Sequence, residues 1–196
     1  DLKDISANKY CWIEEFIHED CRKIMDLPDK PEYIEPISWL FEVNFVTKSL
    51  CKKILDAVKQ NSNWSNGSSN YARLTGGYEA VPTIDIHLNQ VGLKKMWDVL
   101  LKDIVAPLCE KFYVGYSTKG TNLVFVVKYD MNGQKDLRPH HDSSSYTVNI
   151  ALNDQSEYEG GGTHFIVKDY KKIGAPIGKM LIHPGRCTHY HEGLPI

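Results

Sequence analysis

Two periods organise the chain. In VTKSLCKKILDAVKQ (46–60), Leu50, Ile54 and Val58 recur at four-residue intervals. That spacing predicts an amphipathic helix, with Thr47 as its N-terminal cap. A longer helical pattern covers QVGLKKMWDVLLKDIVAPLCEKFY (90–113). Leu93, Trp97, Leu100, Leu101, Ile104 and Leu108 make its apolar stripe, and Pro107 should kink or end it. After residue 120 the period shortens to two. Strands are predicted at NLVFVVKYD (122–130), SYTVNIALN (145–153), GTHFIVK (162–168) and GKMLIHP (178–184), with Gly, Pro, Asn or Asp clusters between them. ISWLFEVNF (37–45) reads as an earlier strand. Residues 1–35, interrupted by Pro28 and Pro31, read as irregular, and the Asn/Ser/Gly run 61–70 as a loop.

Helices followed by many short strands predict an α+β chain, with helices packed on an antiparallel sandwich. No repeat or long linker divides it, so residues 1–196 read as a single domain. Hydrophobic residues are 42% and charged residues 24%, and the formal charge is −2, which leaves no basic field for nucleic acid. No apolar run reaches membrane-span length. No signal peptide opens the sequence, as expected of a mature form, a fragment or a cytosolic protein. The five cysteines, Cys11, Cys21, Cys51, Cys109 and Cys187, form no CxxC pair, which argues against structural zinc. Cys11 and Cys21 are close enough in sequence to bridge. Two sequons, Asn63-Trp64-Ser65 and Asn66-Gly67-Ser68, are glycan acceptors if the protein is secretory.

Candidate chemistry centres on RPHHDSSSYTVNIALN (138–153). His140-x-Asp142 ends a loop and feeds a strand, where a sheet edge can hold ligands rigidly. A second polar turn, HPGRCTHYHEGLP (183–195), carries more histidines. Two imidazoles and one carboxylate on one face of an octahedral ion leave three positions open, the facial arrangement of non-haem Fe(II) oxygenases. The competing reading is a solvated polar turn. His18-Glu19-Asp20 repeats the triplet in a charged stretch that suggests no pocket. His87, His164 and His183 sit within apolar alternation and read as structural.

RPHHDSSSYTVNIALN, YEGGGTHFIV and HPGRCTHYHEGLP, with GGYEAVPTIDIHLNQVG (76–92), APLCEKFYVGY (106–116) and FVVKYD (125–130), resemble the C-terminal catalytic domain of the procollagen-lysine 2-oxoglutarate 5-dioxygenases, the lysyl hydroxylases. The similarity runs from about residue 37 to the end. The Asn- and Lys-rich stretches between motifs resemble giant-virus homologues in which this domain is fused to a glycosyltransferase.

The resemblance implies a double-stranded β-helix (jelly-roll) fold. It implies Fe(II) on His140, Asp142 and His191, with His189 the competing distal histidine. It points to Tyr129, Asn149 and Arg73 for 2-oxoglutarate, with Thr147, Asn149 and Ala151 sharing one strand face as a pocket floor. His141 should point away from the ligands. A further arginine that grips the cosubstrate in this family, and the final strand, would fall past Ile196. The implied reaction is hydroxylation of peptidyl lysine at C5 in collagen-like X-Lys-Gly sequences, with ascorbate as reductant, in a homodimer of the endoplasmic reticulum lumen or secretory pathway. Glu79 and Asp85 are candidates for the lysine ammonium. The EGGG turn (159–162) reads first as a tight hairpin, and second as a place where a collagen backbone could approach. A related oxygenase acting on another side chain such as proline, or a binding module without chemistry, stays open beside this reading.

Overall fold

The computed structural model describes residues 2, 8–61, 63–67, 81–118, 120, 121 and 123–196, with the backbone alone for Tyr33. Arg73, Glu79 and the start of the GGYEAVP motif lie outside the described residues.

The architecture is mixed, with helices against antiparallel sheets. Helices α1 (Lys9–Phe16), α2 (Glu19–Asp26), α3 (Lys48–Lys59), α4 (Lys94–Leu100) and α5 (Ala106–Phe112) come mainly from the first half. Strands β1 (Phe41–Asn44), β2 (Asp85–His87), β3 (Phe125–Val127), β4 (Leu137–His140), β5 (Tyr146–Ile150), β6 (Thr163–Phe165), β7 (Tyr170–Lys172), β8 (Lys179–Pro184) and β9 (His191–Gly193) form three sheets. Their orders are β1-β8-β5, β2-β3 and β4-β9-β6-β7.

Two short helices replace the irregular stretch expected before residue 35. The Asn8 side chain accepts from the Cys11 amide and the His18 ring from the Asp20 amide, so each helix has its N-terminal cap. Trp12, Phe16, Cys21 and Ile24 bury one side of the pair. The exposed charges around those four positions mask the period in the sequence. Capping also accounts for His18-Glu19-Asp20 without a metal, since Asp20 takes the Asn44 amide at 2.8 Å. The long pattern 90–113 is broken as Pro107 required, by a π-helical turn at Leu101–Val105 just before α5. Proline has no N–H for the carbonyl four residues back, and a π turn absorbs that mismatch.

Strand β8 is the central element. It pairs with β1 on one side and β5 on the other, and its alternate residues serve different layers. Met180 and Ile182 join the large core that includes Leu50, Leu93, Trp97, Leu108 and Phe112 from the helices. Leu181 faces the opposite way, into a smaller cluster with Leu40 and Phe165 of the four-stranded sheet. His183 lies on that second face and meets the Phe165 ring edge-on at 5.1 Å between centroids. The candidate site lies in this second interface, behind a sheet anchored by the helical core.

The EGGG turn is not a hairpin. Strands β5 and β6, which flank it, belong to different sheets. Gly160, Gly161 and Gly162 all have positive φ. A Cβ on Gly160 would stand 2.4 Å from the Pro195 carbonyl oxygen, and one on Gly162 would stand 2.2 Å from that of Lys172. The glycines let this chain's own backbone cross at close range, and a collagen approach is not needed to explain them.

Candidate metal centre

Strands β4 and β9 pair so that His140 stands opposite His191, with ring centroids 4.4 Å apart. His191 therefore sits on a strand, where the sequence suggested only a polar turn. Asp142 follows two residues after His140, in the turn that leads to β5. One donor atom from each of these three residues falls within 4.8 Å of the others. The Asp142 carboxylate lies between the rings, 3.3 Å from His140 Nε2 through Oδ1 and 3.8 Å from His191 Nε2 through Oδ2.

Backbone carbonyls fix both imidazoles. His140 Nδ1 is 2.8 Å from the Arg138 carbonyl oxygen and His191 Nδ1 is 2.8 Å from that of His189. A carbonyl only accepts, so each Nδ1 carries a proton and each Nε2 is the ring nitrogen turned toward Asp142. Burial holds the His191 pKa below its ordinary value, an effect that the Asp142 charge opposes. Burial alone would raise the Asp142 carboxyl. The His140 imidazole, His191 and the Thr147 hydroxyl outweigh it and bring the pKa down to about 2. At neutral pH the set is thus one carboxylate with a neutral His191, the protonation state a divalent cation requires. Two imidazole nitrogens and a carboxylate, all buried or half-buried, are a donor set that suits a first-row divalent ion.

The Asp142 turn is clamped to the end of β8. The Asp142 amide donates to the Gly185 carbonyl at 3.2 Å, the Gly185 amide donates to the Ser145 carbonyl at 3.0 Å, and Arg186 Nε donates to the Ser143 carbonyl at 2.6 Å. A side chain at position 185 would strike the Ser144 carbonyl oxygen, 2.3 Å from an ideal Cβ.

No protein-family model matches the chain. Curated relatives do. The chain is 41% identical over 197 residues to the multifunctional procollagen lysine hydroxylase and glycosyltransferase LH3 of Rattus norvegicus. It is 42% identical over 202 residues to procollagen-lysine,2-oxoglutarate 5-dioxygenase 1 of Gallus gallus. Against human LH3 the figure is 40% over 197 residues. Each match uses 100% of this chain but only 26% or 27% of the relative, so the chain spans about a quarter of their length. The chain belongs to the procollagen-lysine hydroxylase family.

Against that family relation, the other histidines separate by contact. His189 is buried but turned aside, with Nε2 3.2 Å from the Ser38 carbonyl oxygen and Nδ1 2.9 Å from Thr188 Oγ1. His141 packs its ring on Tyr190 at 4.8 Å. His164 Nδ1 is 2.8 Å from Glu192 Oε1, a cross-strand pair. His87 meets the Phe125 ring at a tilt, 5.7 Å between centroids. His183 is fully buried beside the candidate ligands, 4.9 Å from the His191 ring, with Nδ1 directed at the Pro184 carbonyl oxygen.

Tyr129 is half-buried, and burial with the nearby Asp136 charge pushes its hydroxyl up to about 12. It therefore stays a hydrogen-bond donor at neutral pH. Its hydroxyl reaches the β9 residue Gly193, standing 3.4 Å from where a Cβ would be. That places the hydroxyl against the strand that carries His191. Asn149 is exposed and stands opposite Leu181, on the face that also presents Thr147 opposite His183. Of the two acids considered for a lysine ammonium, Asp85 is already bound by the Thr83 hydroxyl and lies 3.9 Å from His87 Nε2. Sequence reasoning missed the supporting layer: Phe165, Gly185 and Arg186. Gly185, in the dipeptide Pro184-Gly185 between two histidine-bearing stretches, was the available signal.

Proposed function

We propose that this chain is a 2-oxoglutarate-dependent oxygenase domain that holds Fe(II) on His140, Asp142 and His191 and hydroxylates peptidyl lysine at C5 in collagen-like X-Lys-Gly sequences. The observation that supports it is the convergence of two imidazole nitrogens and one carboxylate oxygen within 4.8 Å, in a chain related over its whole length to procollagen-lysine hydroxylases. The antiparallel sheets fit the double-stranded β-helix expected for such a domain. Bound there with 2-oxoglutarate, Fe(II) would activate O2, the oxidant, so that one oxygen atom ends in succinate as the cosubstrate loses CO2 and the other is inserted into the lysine C–H bond.

This chain's own residues bind and orient. Tyr129, protonated at neutral pH, donates to the far carboxylate of the cosubstrate. The reading also gives Asn149 and Arg73 a part in binding the cosubstrate. The carbonyls of Arg138 and His189 keep both imidazoles in the metal-binding tautomer. Ascorbate would be the reductant that keeps the iron ferrous. The reading carries with it a secretory compartment, a homodimer, and fusion in the whole protein to a glycosyltransferase.

The test is mass spectrometry of a Lys-Gly collagen peptide after incubation with Fe(II), 2-oxoglutarate and ascorbate, together with succinate release. The expected result is one added oxygen on lysine that disappears when iron is chelated. Oxygen on proline would replace the substrate assignment. Metal-independent turnover, or none in the full-length protein, would overturn the reading.

A further inference from the structure

The candidate ligands include a carboxylate, and a carboxylate can bind a metal through one oxygen or two. One oxygen leaves three open positions on an octahedral ion, and two leave only two. A chelating cosubstrate together with O2 needs three. What holds Asp142 to one oxygen therefore decides whether the site can work.

The answer lies on β5. Thr147 Oγ1 donates to Asp142 Oδ2 in a short hydrogen bond. Its single proton is committed to the carboxylate, so the 2.8 Å contact between Ser144 Oγ and Thr147 Oγ1 runs the other way, with Ser144 donating. Asp142 Oδ1 is the oxygen nearer His140, at 3.3 Å, while Oδ2, the one Thr147 holds, lies 3.8 Å from His191 Nε2. The strand fixes Thr147 itself. It pairs with His183 in the β5–β8 ladder, next to Tyr146↔Pro184, and β8 is held by the helical core. The clamps on Gly185 and Ser143 fix the turn from the other side. The carboxylate thus cannot swing freely about its own bonds to present both oxygens.

We infer that Thr147 is a positioning residue that keeps Asp142 monodentate, by occupying Oδ2 through a Ser144–Thr147–Asp142 relay. The inference rests on the proposed metal site and deepens it. Carboxylates hydrogen-bonded in this way keep their orientation when the ion binds, and loss of the bond frees the second oxygen to chelate. In Thr147→Val the methyl replaces the hydroxyl at nearly the same volume, so packing on β5 is retained while the donor is lost. Asp142 then becomes bidentate and closes one of the three open positions.

The experiment loads the protein with Mn(II) and measures water-proton relaxation, which counts exchangeable waters on the ion without requiring turnover. Wild type should hold three waters. Thr147→Val should bind Mn(II) yet lose one water, so the inner-sphere relaxivity falls by about one third. Thr147→Ser restores the hydroxyl and should match wild type. 2-Oxoglutarate binding to the Mn(II) form should weaken in Thr147→Val and recover in Thr147→Ser. Thermal melting of all three checks folding, and Thr147→Ala replaces the valine variant if that one melts early. Equal relaxivity in wild type and Thr147→Val overturns the inference. So does a Thr147→Val protein that folds but no longer binds Mn(II), because the hydroxyl would then be holding the metal site as a whole. Failure of folded wild type to bind Mn(II) would instead sink the metal-site reading on which the inference rests.

Discussion

Phe165 belongs both to the smaller apolar cluster and to the surroundings of the candidate site, and its removal tests their coupling. The ring is fully buried on β6, in the small cluster with Leu40 and Leu181. It lies 5.1 Å from His183, 5.8 Å from His189 and 5.6 Å from His191, centroid to centroid. Phe165→Ala deletes the ring and leaves a cavity among three imidazoles. Such a deletion costs about 3–5 kcal/mol, against a domain stability of about 5–15 kcal/mol. At roughly 2–4 °C per kcal/mol for a chain of this size, the melting temperature should fall by roughly 6–20 °C. The His191 ring then has no wall on one side, and its Nε2 no longer meets Asp142 in a fixed geometry. Metal affinity should drop by on the order of ten-fold, as for losses in the layer around a metal. The assay is urea or thermal unfolding with and without Mn(II), and a metal titration at a temperature where the variant is folded. A melting shift under about 2 °C would refute the packing argument. A large shift with unchanged metal affinity would refute the coupling to His191.

Other expected outcomes follow from single contacts. His191→Ala should abolish Mn(II) binding while His189→Ala should retain it and lose stability, because His189 bonds to Ser38 and Thr188; equilibrium dialysis separates the two. Lys111 Nζ donates to the carbonyls of Ile24, Met25 and Leu27, at 2.7, 2.8 and 2.5 Å, and so caps the C-terminus of α2. Lys111→Met should cost about 1.5–3 kcal/mol in urea unfolding, with the lower end favoured by its partial exposure. Burial pushes the thiols of Cys21 and Cys109 up to about 12 and that of Cys51 up to about 11. The thiolate is the reactive form, so these three stay protonated at pH 8 and should resist iodoacetamide in the native state, whereas exposed Cys11 and Cys187 react. Peptide mapping after brief labelling should find two modified cysteines. Modification of Cys21 as fast as Cys187 would contradict the packing of α2.

Much of the local structure was legible because local periodicity reports which face of an element is apolar. The four-residue spacing of Leu50, Ile54 and Val58 returned α3 within two residues of each end. The alternation in GKMLIHP returned β8. The long motifs around His140, Asp142 and His191 carried the family by type and order alone. Tertiary structure decided the rest. The sequence could not show that the eight-residue α1 and α2 would form, since their stability comes from burying Trp12, Phe16, Cys21 and Ile24 against distant elements. It could not show that strands adjacent in the chain would be dealt into different sheets, or that HEG would pair with LRPH across about fifty residues. Residue type and spacing did not separate His189 from His191, two chemically identical side chains two positions apart; only the family resemblance favoured His191. The pairing of β9 with β4 and the carbonyls of Ser38 and His189 turned one ring aside and the other inward. The physical reason is that composition and period act along the chain, whereas the direction of a lone pair is set by neighbours brought together only when the sheets close.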